Sequence, residues 1–373
     1  MSEIKQVARR DPVEAAEGAV AFLERISPAL ENVDSSSGAI GTAVNHAIAD
    51  LVPIIAGASV DATTKAAWFE RLFDAHGADR IPYIETLADY WGELCGSAEL
   101  ASAWANRLIG VTRLALSPDK NVRGHFHGTI ACLSALLAAR RYDEILALVD
   151  GETLWPYREW AVRALVAQGR HEEAIQYADH CRNAWANDTA IDAECERILL
   201  AAGRPEEAYA RYALTANRAM THTAWFRAIA KKYPHKPAST ILTDLVRLTP
   251  GEEGKWFAAA KDAKLFDEAI ALAKASPCDP RTLTRAARDF AEKNPLFATD
   301  AGLTALQWLV QGHGYEITTA DVWAACAHTL HAARHAGRGE EVRARIQLLV
   351  GAAQRTNDMV VETIERCLRH EPE

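Results

Sequence analysis

The sequence lacks the features that mark several common classes of protein. No run of about 18 or more apolar residues occurs, so we predict no membrane-spanning helix. Charges occur in residues 1–10 but no apolar segment follows them, so we expect no secretory signal and a cytoplasmic protein. The net charge of −9 leaves no general basic excess, which a nucleic-acid binder uses for much of its affinity. A membrane protein and a general nucleic-acid binder are therefore not expected.

Motifs of catalysis and metal binding are also missing. The seven cysteines form no C-x-C or C-x-x-C pair, so we expect reduced thiols packed as small apolar residues. No P-loop, G-x-G-x-x-G or G-x-S-x-G motif occurs. The sequence therefore predicts no catalytic residue, no cofactor and no metal site.

What is present is helical periodicity along nearly the whole chain of 373 residues. Apolar residues recur at spacings of three and four, alanine is abundant, and no stretch alternates with period two. N-caps are predicted at Asp11, Asp61, Asp79 and Ser97. We predict an all-α protein of roughly twenty helices. A polar stretch at 119–124 predicts a boundary between an N-terminal helical bundle, 1–118, and a helical-repeat array, 119–373.

The repeat is visible in two short segments. Gly169–Ala174 has the sequence GRHEEA and Gly203–Ala208 has the sequence GRPEEA, and the two lie 34 residues apart. The glycine is suited to end the first helix of a pair in a left-handed conformation. The two glutamates favour the positive N-terminus of the second helix, and the alanine allows close helix packing. Imperfect copies begin at Arg140, Lys264 and Gly337.

These segments resemble the turns of tetratricopeptide-repeat proteins, whose period is 34 residues. The resemblance covers roughly residues 125–350 and implies a right-handed α-α superhelix behind the N-terminal bundle. The chain departs from that family at Val162 and Glu196, where the consensus prefers a small residue. Unrelated helical hairpins that reuse the same favourable caps are the alternative.

A second, looser resemblance involves the N-terminal half of the chain. The segments 34–38, 68–73 and 83–91 resemble the helical region that follows the zinc finger in bacterial SWIM-type proteins. That finger needs a C-x-C pair, which this chain does not contain. Only the helical region is therefore expected to be shared.

The repeat register predicts a partner-binding surface. In tetratricopeptide-like arrays the first helix of each pair lines the concave face, and the register predicts the following residues there: Glu159, Trp160, Arg163, Arg197, His328, His331 and, one turn on, His335. Arginine suits carboxylates, so we expect a protein or peptide partner with an acidic segment. The alternative is that these arginines only pair with neighbouring glutamates and that the tryptophan only packs between helices.

Two other function classes stay open at this point. His328, His331 and His335 share one helical face, so a metal-dependent enzyme is one alternative. Lys231, Lys232 and Lys236 lie in a basic stretch with two prolines, so a nucleic-acid-binding array is another. We expect a non-catalytic scaffold for protein interactions, because helical arrays offer extended surfaces and no nucleophile–base spacing is present.

Overall fold

The chain is helical throughout the part that the structure describes. The structure, a computed structural model, describes residues 2–33, 38–183, 187–352 and 358–370. Within those ranges there is no strand, which confirms the prediction of an all-α protein. Contacts group the chain into two compact units, Met1–Gly203 (the N-unit) and Arg204–Glu373 (the C-unit).

Most helices of the N-unit follow one another after short connections, and the longer segment 116–128 separates α6 from α7. One 3₁₀ segment, Glu85–Tyr90, precedes α5. The α-helices are α1 (Ser2–Val7), α2 (Pro12–Leu30), α3 (Ala39–Gly57), α4 (Ala62–Gly77), α5 (Trp91–Cys95), α6 (Ala98–Ala115), α7 (Thr129–Ala138), α8 (Tyr142–Val149), α9 (Trp155–Ala167), α10 (His171–His180) and α11 (Asp188–Ala201).

Three of the four predicted N-caps are confirmed. The side chains of Asp11, Asp61 and Ser97 accept hydrogen bonds from the first backbone N–H groups of α2, α4 and α6. The predicted cap at Asp79 is wrong, because no α-helix begins there. Its carboxylate instead accepts from the backbone N–H of Ile84 and from the hydroxyl of Ser27 on α2. Asp79 therefore anchors a loop to a distant helix.

The N-unit has a continuous core. Buried apolar side chains from Ala16 to Ala164 form one cluster, so helices on both sides of residue 118 share it. Aromatic rings occupy its middle: Trp91 lies 5.4 Å from Phe69 and 5.2 Å from Trp104, both in edge-to-face geometry. The division into a bundle at 1–118 and an array at 119–373 stays a prediction.

One core helix is long and apolar. α3 has 19 residues with a mean hydropathy of 1.5, which meets the length and composition of a membrane span. The side chains of Ile48, Leu51 and Ile55 on α3 are fully buried in the N-unit. About 33% of the apolar window of α3 is buried in this way, so one face of the helix contributes to the core.

The C-unit is built in the same way. A π-helical segment, Tyr209–Ala213, and a 3₁₀ segment, Glu253–Trp256, interrupt its α-helices. Those helices are α12 (Pro205–Ala208), α13 (Leu214–Ala216), α14 (His222–Lys232), α15 (Ala238–Leu248), α16 (Phe257–Asp262), α17 (Phe266–Ala275), α18 (Pro280–Phe290), α19 (Pro295–Val310), α20 (Thr319–His335), α21 (Gly339–Gly351) and α22 (Asp358–His370).

One turn geometry recurs between consecutive helices. A residue with φ between 59° and 83° follows seven helices, at Gly96, Arg140, Gly169, Gly203, Lys264, Gly312 and Gly337. At Gly169 the N–H donates to the carbonyl of Val166, and the next N–H, of Arg170, donates to Leu165. This pair of bonds satisfies the free carbonyls at a helix end. The left-handed conformation predicted for the glycines at 169, 203 and 337 is confirmed.

A side-chain contact accompanies four of these turns. The arginine after the left-handed residue pairs with a glutamate three positions later, and the four pairs are Arg141–Glu144, Arg170–Glu173, Arg204–Glu207 and Arg338–Glu341. The glutamate lies in the first turn of the second helix, as the sequence predicts. The alanine that follows, Ala174 or Ala208, is fully buried.

Candidate functional site

The predicted arginines lie on two helices of the N-unit, each beside a glutamate of its own helix. On α9, the Nε of Arg163 donates to Glu159 across 3.1 Å. On α11, the Nε of Arg197 donates to Glu194 across 2.7 Å. We call these four residues and Asp89, in the 3₁₀ segment, the charged face.

Electrostatics place these residues in one another's field. The bond to Glu194 raises the pKa of Arg197, and the negative charge of Glu159 raises it further. Desolvation by the surrounding protein raises the pKa of Asp89, although the residue is exposed, whereas the positive charge of Arg163 lowers that pKa and the charge of Glu159 raises it. The two helices and the 3₁₀ segment therefore contribute charges to one region of the N-unit.

Both arginines keep donors that the N-unit does not use. Each guanidinium uses Nε and Nη2 on its glutamate, and Nη1 has no hydrogen-bond partner in the described part of the chain. The side chain of Arg163 is 32% exposed and that of Arg197 is 55% exposed. The charged face therefore presents two partly fixed guanidinium groups to solvent.

The structure corrects the prediction for Trp160. Its side chain is only 2% exposed and belongs to the core of the N-unit, so it is not available as a partner contact. The guanidinium of Arg163 lies over its ring, 4.4 Å from the centroid. Trp160 therefore belongs to the core, and one face of its ring contacts the guanidinium group of Arg163.

The three histidines of α20 lie in different surroundings. His331 and His335 are exposed and their rings lie 4.7 Å apart, whereas His328 is half-buried and lines a cleft of the C-unit. Within residues 2–33, 38–183, 187–352 and 358–370, no group of three or more His, Cys, Asp or Glu side chains is arranged to hold a metal ion. The metal-dependent alternative therefore has no ligand set in those ranges.

The basic stretch after α14 is held by neighbouring side chains. The ammonium group of Lys236 pairs with Glu206 and lies 4.7 Å from the centroid of the Tyr209 ring. Lys231 and Lys232 are exposed at the end of α14. Of the three lysines named for nucleic-acid binding, Lys236 is thus committed to contacts within the C-unit.

Sequence reasoning missed a row of arginines on α18. Arg281, Arg285 and Arg288 follow the spacing i, i+4, i+7, so they share one face of the helix. All three line the same cleft as His328, which has a volume of about 400 Å³. The spacing was visible in the sequence, but the cleft needs the α19–α20 loop, which is distant in the chain.

Sequence reasoning also missed a smaller cleft in the N-unit, of about 190 Å³. His76, His125 and His127 line it. Burial lowers the pKa of His76 and of His127, so burial favours the neutral form of both rings. The H-x-H motif at 125–127 therefore brings its two imidazoles to one cleft beside a third.

Together these observations define an all-α protein of short helices joined by recurrent left-handed turns, with charged surfaces in each unit. Comparison of the chain with family models, with curated proteins and with solved structures gives no match. The resemblances to tetratricopeptide-repeat and SWIM-type proteins stay predictions, and residues 34–37 of the SWIM-like segment lie outside the described residues.

Proposed function

We propose that this chain is a non-catalytic, tetratricopeptide-like scaffold of the cytoplasm that binds a polypeptide partner across the charged face. The recurrent turns support the repeat, because glycine, arginine and glutamate occupy equivalent positions in them. In such arrays each hairpin packs on its neighbours and leaves one continuous side for binding.

One observation carries the proposal: Arg163 and Arg197 each keep an unused Nη1 donor beside a fixed guanidinium. Their glutamates hold Nε and Nη2, so a bound partner does not have to order these side chains from a free state. A carboxylate of an acidic segment is a suitable acceptor, because hydrogen bonds between charged groups are the stronger kind.

The structure does not make this surface strongly positive. Arg163 and Arg197 are accompanied by Glu159, Glu194 and Asp89, so the partner is selected by the positions of its oxygens more than by its net charge. We therefore expect binding to need acidic side chains at a fixed spacing, and to depend only moderately on salt.

A fluorescein-labelled oligoglutamate peptide is the probe for this surface, with oligoglutamine as the neutral comparison. The variant Arg163→Gln plus Arg197→Gln should weaken oligoglutamate binding at least tenfold, about 1.4 kcal/mol, in fluorescence anisotropy. The matched control is Arg25→Gln plus Arg80→Gln. It replaces two exposed arginines of the same unit and removes the same amount of positive charge.

The outcomes separate the two interpretations of the arginines. Equal loss in both double variants would show that only net charge matters and would refute the charged face. A large drop in the thermal midpoint of the Arg163/Arg197 variant alone would show that these arginines hold helices together. Loss of binding with an unchanged midpoint supports the scaffold.

A further inference from the structure

A cleft in the C-unit has the make-up of a ligand site that the proposed scaffold function does not use. It lies against α18, and its lining includes Arg281, Arg285 and Arg288 of that helix, with Tyr315 and His328. Its volume of about 400 Å³ is in the range of pockets for small ligands.

Arg281 is committed to holding the cleft together. Its Nε and Nη2 each donate to a carboxylate oxygen of Asp321 across 2.9 Å, and Nη2 also donates to the carbonyl of Glu316 across 2.8 Å. Asp321 in turn caps α20 together with Thr318. The arginine thereby ties α18 to the start of α20 and to the loop before it.

That loop presents an aromatic ring at the cleft. Tyr315 lies between Gly314 and Glu316, whose φ values are +116° and +48°. Residues with a side chain rarely adopt positive φ values. The residue Tyr315 is 79% exposed and is one of those that line the cleft. A large aromatic side chain held in solvent beside arginines is suited to stacking on a planar group.

Arg285 and Arg288 supply positive charge along one side of the cleft, which the carboxylates of Asp279 and Asp321 also line. In the described ranges Arg285 has no carboxylate partner: Nη2 donates to the hydroxyl of Thr282 across 3.0 Å and Nε to the carbonyl of Arg281 across 3.3 Å. Arg288 donates its Nε to Asp289, the next residue, across 2.8 Å, and the side chains of Arg288 and Asp289 are each more than half exposed. Two guanidinium groups one helical turn apart therefore border the cleft.

We propose that this cleft binds a nucleoside phosphate, with the phosphate on Arg285 and Arg288 and the base stacked on Tyr315. A phosphate monoester carries about two negative charges at neutral pH. It can accept hydrogen bonds from Arg285, which has no carboxylate partner in the described ranges, and from the Nη atoms of Arg288, whose Nε is bonded to Asp289. The planar fork of arginine fits phosphate oxygens in pairs. A tyrosine ring beside these groups recognises a flat base, which a simple inorganic anion does not have.

Isothermal titration with adenosine monophosphate tests the site in the full-length protein. Adenosine monophosphate should bind, ribose 5-phosphate about tenfold more weakly, and adenosine or inorganic phosphate more weakly than either. Arg285→Gln should weaken adenosine monophosphate at least tenfold. Tyr315→Ala should weaken it about tenfold while leaving ribose 5-phosphate unchanged.

Arg366→Gln is the matched control, because Arg366 is an exposed arginine of the same unit outside the cleft. The thermal midpoint checks the fold of each variant, and Arg285→Lys serves as a second variant if the first unfolds. The proposal is overturned if adenosine monophosphate gives no heat at millimolar concentration, or if Arg285→Gln and Arg366→Gln behave alike. Glutarate binding as tightly as adenosine monophosphate would overturn the preference for phosphate.

Discussion

The recurrent turns can be tested by glycine-to-alanine substitutions, because the sign of the change in the free energy of unfolding should depend on the backbone conformation of the glycine. Gly169 has a φ of +76°, and a Cβ added there would meet nothing within 4 Å. The cost of Gly169→Ala is therefore a backbone cost, without a steric clash. A left-handed conformation costs an ordinary residue about 1–2 kcal/mol. Alanine recovers about 0.4–1 kcal/mol by restricting the unfolded chain. The difference between these two ranges is centred on a net loss of about 0.8 kcal/mol.

Gly110 is the matched position in the same unit. It lies inside α6, and a Cβ there also meets nothing within 4 Å. Glycine inside a helix is about 0.8–1 kcal/mol less favourable than alanine, so Gly110→Ala should stabilise the N-unit by up to that amount. Arg140→Gly is the reverse change at a turn of equal geometry, with φ of +59°, and should leave stability equal or slightly higher.

Urea unfolding followed by circular dichroism measures all three variants, and the slope with urea should be unchanged. The reasoning fails if Gly169→Ala is neutral, or if Gly169→Ala and Gly110→Ala change stability in the same direction. A stabilising Gly169→Ala would mean that the turn is not left-handed in solution.

Three further predictions follow from burial and hydrogen bonding. Gly302→Ala should destabilise the C-unit by about 1–3 kcal/mol in urea unfolding, because its Cβ would overlap Thr329; a neutral result would contradict the close helix contact. Thiol labelling at neutral pH should be slow until the protein unfolds, because burial raises the pKa of groups such as Cys95, to about 12; rapid labelling of the folded protein would contradict this. Hydrogen bonds from its partner Arg281 lower the pKa of Asp321, so the stabilisation by its carboxylate is lost as the pH falls below about 4. The variant Asp321→Asn should therefore show a smaller fall in thermal midpoint on acidification than the unchanged protein. The same substitution at the exposed Asp358 should leave that fall unchanged.

The sequence was sufficient for features with a local cause. The left-handed turns at Gly169 and Gly203 follow from the glycine and the two glutamates after it, and nothing distant is needed to form them. The predicted N-cap at Asp79 was wrong because its carboxylate makes a tertiary contact and does not cap a helix. Its carboxylate bonds to Ser27, which is 52 positions away, and no local pattern signals that contact.

The candidate site also has features that local spacing predicts and features that depend on tertiary contacts. The spacing of 34 residues identified Arg163 and Arg197 as equivalent, and both carry partly exposed guanidinium groups. The burial of Trp160 was not predictable from spacing, because α9 also buries Ala161 and Val162 and so has apolar residues nearly all round. In the C-unit the arginine spacing was visible, but Tyr315 joins the lining of the cleft only because the loop before α20 folds against α18.

The two charged sites differ in what their ion pairs do. Solvent-accessible arginine–glutamate pairs contribute under about 1 kcal/mol to stability, so the partly exposed pair of Arg163 and Glu159 on one helix adds little to folding. The ion pair fixes the orientation of the Arg163 guanidinium through Nε and Nη2, and Nη1 has no hydrogen-bond partner in the described part of the chain. In the cleft the committed arginine, Arg281, instead fixes the walls, and Arg285 stays without a carboxylate in the described ranges. The two proposals therefore differ in the ligand that they expect: a polypeptide with oxygens at a fixed spacing on the charged face, and a phosphate joined to a flat base in the cleft.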